Sequence, residues 1–358
     1  MKSVIRNGPV LKQLLDACKS SKFVTLDLEN DTVKKFHLTP IGKMLKNNLR
    51  EEFYRGESGT ELYEGSSELS LMENLRFAQE TFAVSLPFGM AVEDRFTGRN
   101  IQLSETHQME LERGSLLTCS YFINPATSKE FMYKAQRQRK IWWMRFACDP
   151  GRYFISDPRQ DSARRIQSVN IRARFGDEEL TLEQLELIPG DAMWEQMRGF
   201  QAKAGRSGKK ITPDVVRISQ CAEVATLGVI LDAAQSSEEN SVKIHRRLAP
   251  FKCGIVCMTE DPIQLEELRD LARHLTTVIR RVNLAVLDCS RQTTGTSNQR
   301  SLTKQLHHLD SIGVPYSLLL REQSLQNGLL QLRSRDTTIS ETIHISDLPH
   351  YLLKIITS

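Results

Sequence analysis

The stretch Phe251-Lys-Cys-Gly-Ile-Val-Cys-Met258, followed by Asp261-Pro262, decides the fold class of this 358-residue chain. An apolar run of this length is typical of a buried parallel strand. Asp followed by Pro is typical of a helix N-cap and first position. The helical repeat after it consists of Leu265, Leu268, Ala272, Leu275 and Ile279. The stretch therefore predicts the first β-α unit of an α/β domain.

The rest of the C-terminal part continues the same alternation. Further strands are predicted at Leu284–Leu287, Tyr316–Leu320 and Gly328–Leu332, and further helices through Leu302, Leu306 and Leu309 and from Ser346 or Asp347 to Ile356. The order β-α-β-α-β-β-α predicts a small α/β domain over residues 242–358, with a mostly parallel sheet. The polar segment 235–241 separates it from a first domain over residues 1–235.

The first domain mixes short strands and helices. Helices are predicted at Leu71–Phe82 and over residues 129–147, and a strand at Ser115–Ile123. Trp142 and Trp143 are expected in the core. Residues 203–210 contain Gly and four basic side chains, and are predicted to form an exposed loop.

The composition fits an ordinary globular protein. Hydrophobic residues make up 40% of the chain, charged residues 26%, and the formal net charge is +4. No apolar run approaches the roughly 20 residues that span a bilayer, so no membrane contact is expected. The seven cysteines are scattered and odd in number, which favours reduced thiols inside a cell over a disulfide framework. The basic N-terminus is similar to a mitochondrial presequence, but Leu11, Leu14 and Leu15 favour a first folded helix.

Four landmarks of the C-terminal part resemble the anticodon-binding domain of class II aminoacyl-tRNA synthetases. They are Leu248-Ala-Pro250, Asp310-Ser-Ile-Gly-Val-Pro-Tyr316, Asn327-Gly328 and Arg333-Ser-Arg-Asp-Thr-Thr338. Their order and spacing match that domain. The resemblance implies an α/β fold for this part, in agreement with the strand and helix pattern.

Longer segments resemble one family more closely, the accessory subunits of mitochondrial DNA polymerase gamma. They are Asn327–Thr338 with His344–Leu348, and Trp142–Ala147 with its paired tryptophans; Leu86–Ala91 resembles an element that this family shares with glycyl-tRNA synthetases. The resemblance implies that residues 1–235 form a synthetase-like α+β domain with an antiparallel sheet. It also implies a non-catalytic subunit in the mitochondrial matrix, at the nucleoid. Its partners would be the catalytic polymerase subunit and double-stranded or primer–template DNA.

An active class II synthetase needs two arginines that hold ATP phosphates, because guanidinium gives bidentate bonds to phosphate. Where that family has Phe-Arg-x-Glu, this chain has Phe96-Thr97-Gly98-Arg99, and residues 218–245 contain no arginine. Aminoacylation is therefore not expected. The alternatives are a divergent glycyl- or prolyl-type synthetase and a tRNA-binding module.

No catalytic, metal or cofactor site is expected from the sequence. The residues predicted to contact the catalytic partner are Gly328, Leu329, Arg333, Arg335, Asp336 and Thr337. In this interpretation Gly328 allows a backbone conformation or close approach that a side chain would block. Arg333 and Arg335 either offer guanidiniums to the partner or pair within the chain, for example with Asp336. The residues predicted to contact DNA phosphates are Arg139, Lys140, Lys203, Arg206, Lys209 and Lys210.

A helical insertion that forms the dimer in vertebrate relatives is short here. Only residues 55–85 separate the two segments that flank it in the resemblance. The resemblance therefore implies that the chain is not a homodimer.

Overall fold

The computed structural model describes residues 10–18, 21–55, 59–193, 195–204, 208–236, 241–290 and 299–357. Its internal contacts divide the chain into two compact units. Unit 1 comprises the residues up to Thr39, Leu49–Arg145 and Asp149–Leu231, and unit 2 comprises Pro40–Asn48, Phe146–Cys148 and the chain from Asp232 onward. The domain division predicted from the sequence, near residue 240, stays a prediction.

Unit 1 is built around a large, mainly antiparallel sheet. The helices of this part of the chain are α1 (Val10–Cys18), α2 (Pro40–Tyr54), α3 (Leu71–Phe82), α4 (Ser128–Phe146) and α5 (Ala222–Ser236). The strands are β1 (Val24–Glu29), β2 (Thr32–Leu38), β3 (Leu62–Glu64), β4 (Ser85–Leu86), β5 (Phe88–Gln102), β6 (Gln108–Ile123), β7 (Tyr153–Ile155), β8 (Arg159–Asp161), β9 (Ile166–Phe175), β10 (Glu178–Ile188), β11 (Ala202–Ala204), β12 (Lys210–Ile211) and β13 (Asp214–Cys221).

The main sheet has the strand order β1-β2-β6-β13-β10-β9-β7, with β5 paired to β6, β3 to β5 and β8 to β9. A second small sheet has the order β12-β11-β4. The long pairings β5–β6, β6–β13, β13–β10 and β10–β9 are antiparallel. This confirms an α+β fold for the first part of the chain.

Local sequence signals placed several elements of unit 1 correctly. Helix α3 has the predicted bounds, because Ser70 and Glu73 form a capping box at its start. Trp142 and Trp143 on α4 are buried, as predicted. Of the predicted exposed loop 203–210, Lys203, Ala204 and Lys210 lie in the paired strands β11 and β12, and residues 205–207 lie outside the described residues.

Unit 2 is an α/β domain with a mixed sheet. Its elements are β14 (Cys253–Cys257), α6 (Pro262–Arg281), β15 (Val286–Asp288), α7 (Gln299–Ser311), β16 (Tyr316–Leu320), α8 (Glu322–Asn327), β17 (Leu329–Ser334), β18 (Ser340–His344) and α9 (Leu348–Thr357). The sheet order is β15-β14-β16-β17-β18. Strand β14 pairs parallel with β15 and β16, whereas β16–β17 and β17–β18 are antiparallel. The α/β class is therefore confirmed. The mostly parallel sheet is not, because two of the four strand pairings are antiparallel. Helix α8 and strand β18 are elements that the sequence did not predict.

The predicted first β-α unit, β14 and α6, has a clear physical basis. Asp261 accepts a hydrogen bond from the Ile263 amide and Pro262 occupies the first turn of α6. The apolar face of α6 packs on the sheet through Leu265, Leu268 and Leu275. Burial of these side chains stabilises the unit by roughly 1.5–3 kcal/mol each.

Two short pieces from earlier in the chain belong to unit 2. The Asn48 amide nitrogen donates to the carbonyls of Leu248 and Ala249 at 3.0 and 2.9 Å. The Cys148 amide donates to Asp232 Oδ2 at 2.6 Å. Within the described ranges, no helix is long and apolar enough to cross a membrane.

Candidate partner-binding and nucleic-acid-binding surfaces

Gly328 makes the turn between α8 and β17. Its φ of 71° and ψ of 13° are left-handed, and a Cβ built on it would lie 2.7 Å from His344 Nε2. Any L-residue would therefore meet both backbone strain and a contact with His344. The prediction that Gly328 allows a conformation and an approach that a side chain would block is confirmed.

Arg333 on β17 forms a bidentate ion pair inside unit 2. Its two terminal nitrogens lie 3.0 Å from Asp310 Oδ1 and Oδ2, and both side chains are largely buried. The pair uses one N–H group on each terminal nitrogen, and the Asp310 carboxylate balances the charge of the guanidinium. Asp310 ends α7, so the pair fixes β17 against that helix.

Arg335 is 6% exposed and lies just beyond the end of β17. Its Nη1 donates to the carbonyls of Val242 and Gly313, and its Nη2 donates to the carbonyl of Ile244, all at 3.0 Å. Its Nε and Nη2 also donate to Asp336 Oδ1 at 2.9 and 2.7 Å. The guanidinium thus joins the segment 242–244, the turn at Gly313 and Asp336.

These contacts bear on the two uses considered for the arginines. All five N–H groups of Arg335 are engaged within unit 2, whereas Arg333 uses two of its five, so a partner contact by Arg333 stays a prediction. The alternative of internal pairing, including the pair with Asp336, is the one observed. The partner-contact role of Leu329, Asp336 and Thr337 stays a prediction; Leu329 is half-buried, and the other two are exposed.

The exposed part of this region is the turn from Asp336 to Ile339 and the strand β18. Ile339 is 70% exposed, and the side chains of β18 are mostly exposed. Strand β18 pairs with β17 and ends the sheet among the described strands. Sequence reasoning missed Ile339, although a single large apolar residue between Thr338 and Ser340 was the available signal.

Arg139 on α4 has a structural role in unit 1. Its Nε and Nη2 donate to Glu183 Oε1 and Oε2 at 2.7 and 2.8 Å, and Trp143 Nε1 donates to the same carboxylate at 3.0 Å. The guanidinium also lies 4.1 Å from the Trp142 ring centroid. Burial lowers the pKa of Arg139, but the charge and hydrogen bonds of Glu183 outweigh it, so the pKa stays above its ordinary value.

The burial of Arg139 argues against its predicted DNA contact. Its side chain is buried and its charge is balanced by Glu183, which is 1% exposed. Lys140, the next residue of α4, is half-buried, and its DNA contact stays a prediction. Arg206 lies outside the described residues.

The basic ribbon, defined as Ala202–Ala204 with residues 208–211, carries the other predicted DNA contacts. Lys203 lies directly opposite Lys210 across the antiparallel pair, and the Ala204 amide donates to the Lys209 carbonyl at 2.9 Å. Lys203, Lys209 and Lys210 are exposed, and within the described ranges no carboxylate pairs with them. Opposed like charges destabilise a strand pair, and a bound anion relieves that repulsion.

The polar face of the main sheet forms a cavity of ≈ 480 Å³ in unit 1. Its polar lining includes Asp94, Thr118, Ser120, Gln184, Glu186 and Arg217. Arg217 lies 4.0 Å from Glu186, so its charge is partly balanced. We refer to this space as the sheet cavity. Arg217 lies on β13, directly before the segment 218–245, which contains no arginine.

The segment Phe96-Thr97-Gly98-Arg99, which stands where class II synthetases have Phe-Arg-x-Glu, lies on β5. Thr97 stands opposite Arg113 within the long β5–β6 pairing, and Arg99 lies with its guanidinium 4.6 Å from the Phe96 ring centroid. Gly98 between them has a left-handed φ of 61°. The structure therefore assigns Phe96 and Arg99 to a contact with each other along a strand.

The thiols give no sign of nucleophilic or metal chemistry. Burial raises the pKa of Cys119, Cys253 and Cys257 to about 12, far above the value of a reactive thiolate. In the part of the chain that the structure describes, no group of His, Cys, Asp and Glu side chains could hold a metal ion.

Comparison with known proteins gives one family match and several relatives. Residues 252–355 match the anticodon binding domain family. The chain is 38% identical over 244 residues to DNA polymerase subunit gamma-2, mitochondrial, of Drosophila melanogaster, which covers 67% of this chain and 66% of the relative. It is 31% identical to the Xenopus laevis protein of the same name, over 66% of this chain and 52% of the relative. A glycine–tRNA ligase of Clostridium beijerinckii is 23% identical over 89% of this chain and 68% of that enzyme.

The alignments leave part of each polymerase subunit unmatched. The chain spans between about half and two thirds of the length of these curated polymerase relatives. The synthetase-like resemblance found in the sequence is nevertheless confirmed by both kinds of relative.

Proposed function

We propose a function from one premise: this chain belongs to the family of synthetase-like accessory subunits of mitochondrial DNA polymerase gamma. It is a non-catalytic subunit that binds the catalytic polymerase chain and primer–template DNA in mitochondria, in the matrix at the nucleoid. By adding contacts to the complex it slows dissociation from DNA and so raises processivity. The identity with the Drosophila subunit is the observation that carries this proposal.

The partner contact lies on the turn Asp336–Ile339 and the free edge of β18. Ile339 supplies an exposed apolar anchor, and the edge of β18 offers backbone groups that an extended segment can pair with. The internal ion pairs of Arg333 and Arg335 hold this surface rigid, which lowers the entropy lost on binding.

A matched pair of variants tests this contact. Ile339→Asp places a charge at the proposed contact, whereas Ile263→Asp places one at an equally exposed site on α6, where Ile263 is 75% exposed. We expect Ile339→Asp to weaken stimulation of the catalytic subunit as salt rises, with an unchanged melting curve. Ile263→Asp should behave like the unmodified chain. Normal stimulation by Ile339→Asp would place the contact elsewhere.

The DNA contact is the basic ribbon, with Lys140 and Arg206 as further proposed contacts. Exposed lysines without carboxylate partners can follow a phosphate backbone by counterion release and need not read bases.

The chain is a monomer alone and forms a one-to-one complex with the catalytic subunit. Light scattering of the isolated chain should give the mass of one chain; a stable dimer would contradict this state.

A divergent glycyl- or prolyl-type synthetase is the second candidate. The sheet cavity, with Arg217 in its lining, is the observation that favours it. We expect no ATP–pyrophosphate exchange with any amino acid, because the arginine of the Phe-Arg-x-Glu pattern is replaced by Thr97. Exchange above background that is lost in Arg217→Ala would reverse the order of the two candidates.

A further inference from the structure

Unit 1 carries two exposed phenylalanine rings and a half-buried tyrosine ring that meet at Phe82. Phe77 and Phe82 on α3 are 57% and 47% exposed, and their ring centroids lie 6.1 Å apart in an edge-on arrangement. Tyr63 on β3 stacks on Phe82 with centroids 4.8 Å apart and planes at 18°. We call these three side chains the aromatic patch. Large exposed rings in contact are unusual on a surface that faces only water.

The aromatic patch adjoins the basic ribbon. Gln79 on α3 donates to the carbonyl of Gln201, the residue just before the ribbon, at 2.8 Å. Ser85, three residues after Phe82, lies opposite Lys203 in the parallel pair β4–β11. Three residues span at most about 11 Å, so rings and lysines lie within the reach of one short ligand.

Lys203 and Lys210 of the ribbon share one face. Lys203 is directly opposite both Lys210 and Ser85, and residues directly opposite in a sheet project from the same side. All three side chains are exposed. The ribbon therefore offers two aligned positive charges beside a surface of flat rings.

We propose that the aromatic patch and the basic ribbon together bind single-stranded nucleic acid. Unpaired bases stack on Phe77 and Phe82, while the phosphates that link them lie along Lys203 and Lys210. This inference deepens the proposed DNA contact and rests on it.

The choice of a single strand follows from the chemistry of the surface. Rings stack on bases that have left a duplex, and this stacking accepts any base, since every base has a π-face. Duplex DNA offers the same phosphates but keeps its bases stacked on one another. An apolar protein partner would explain the rings and leave the opposed lysines without a counter-charge. A strand of nucleic acid satisfies both features.

The test compares two fluorescently labelled probes, an oligo(dT) of 30 nucleotides and a 30-base-pair duplex, on the full chain at low salt. Phe77→Leu combined with Phe82→Leu removes both rings and keeps apolar bulk at exposed sites. We expect oligo(dT) affinity to fall by about tenfold or more and duplex affinity to stay the same. Phe77→Tyr with Phe82→Tyr keeps the rings and should retain affinity. Tyr133→Leu, at a 55% exposed ring on α4, is the control.

Each outcome separates this inference from the proposed function. Duplex binding that depends on Lys203 and Lys210, with oligo(dT) binding indifferent to the rings, overturns the single-strand inference and leaves the DNA role standing. An unmodified chain that binds neither probe overturns both. If removal of the rings lowers the oligomeric mass in solution, the aromatic patch is a contact between copies of the chain. That result would also overturn the single-strand inference.

Discussion

Two basic side chains of unit 1, Arg139 and Lys203, carry the same charge but differ in burial and in the group that faces them. Arg139 is buried on α4 and shares its guanidinium with Glu183 in a bidentate pair. Lys203 is exposed on the basic ribbon and faces Lys210, another cation. A buried charge must find its counter-charge inside the protein. An exposed charge opposite a like charge gains from an external anion, so the first cation is expected to serve folding and the second binding.

The strongest test of this comparison breaks the buried pair. Glu183→Gln leaves the shape of the site and removes the charge that balances Arg139. We expect the free energy of unfolding to fall by about 3–5 kcal/mol, because an unpaired charge remains buried. Urea denaturation measures this loss.

Two controls decide whether burial is the cause. The double replacement Arg139→Met with Glu183→Leu removes both charges and should recover much of the loss. Lys35→Ala breaks an exposed pair with Asp27, at 3.0 Å, and should cost less than about 1 kcal/mol. Equal losses for Glu183→Gln and Lys35→Ala would show that the Arg139 pair is no different from a surface pair.

A second, smaller effect is expected at Arg335 in unit 2. Arg335→Ala leaves the carbonyls of Val242, Gly313 and Ile244 without their donor, and we expect a loss of about 2–4 kcal/mol. Arg335→Lys keeps the charge but offers fewer, differently arranged donors, and should lie in between. Denaturation curves of the three chains give the order. A loss below about 1 kcal/mol for the alanine variant would mean that water replaces the guanidinium freely.

These sites show where sequence reasoning holds and where it ends. The bounds of α3 and of β16 follow from signals within a few residues, namely a capping box and a Gly-Val-Pro turn. The partner of Arg139 lies 44 residues away, and the carbonyls that hold Arg335 come from a turn and from residues 242–244. Periodicity gives no information on such pairings. From the sequence alone, Arg139 is therefore interpreted as a surface charge, and only the structure shows that it pairs with Glu183.

The strand β18 was missed for a related reason. Its residues, Ser340-Glu-Thr-Ile-His344, are mostly polar and exposed, so the alternation that predicts a half-buried strand is weak. It forms because β17 already offers an edge, to which it pairs over five residues. Pairing with β17 therefore stabilises β18, although its own sequence pattern is weak. Strand β18 carries part of the proposed partner surface.

A third effect is expected at Gly328, where no charge is involved. Gly328→Ala places a side chain in the left-handed region and 2.7 Å from His344, and should cost about 1–2 kcal/mol or slightly more. Gly199→Ala meets the same backbone strain with no atom within 4 Å, so it isolates the strain alone. Adding His344→Ala should recover the difference between the two. If the two glycine variants cost the same, the approach of His344 is not a constraint.

The smallest effect on stability, and the one that completes the comparison, is expected at the basic ribbon. Lys203→Ala with Lys210→Ala removes two opposed charges, so stability should stay within about 0.5 kcal/mol or rise slightly. Binding should respond instead: each lost phosphate contact lowers the log–log salt slope of duplex binding by about 0.9, so the pair should lower it by about 1.8. Lys304→Ala, at an exposed lysine on α7, removes a charge from unit 2 and should leave the slope unchanged. Titrations of labelled duplex at several salt concentrations, beside urea curves, measure both quantities.

A stable double variant with an unaltered slope would show that the ribbon is not the phosphate contact. A large loss of stability would show that Lys203, like Arg139, serves the fold.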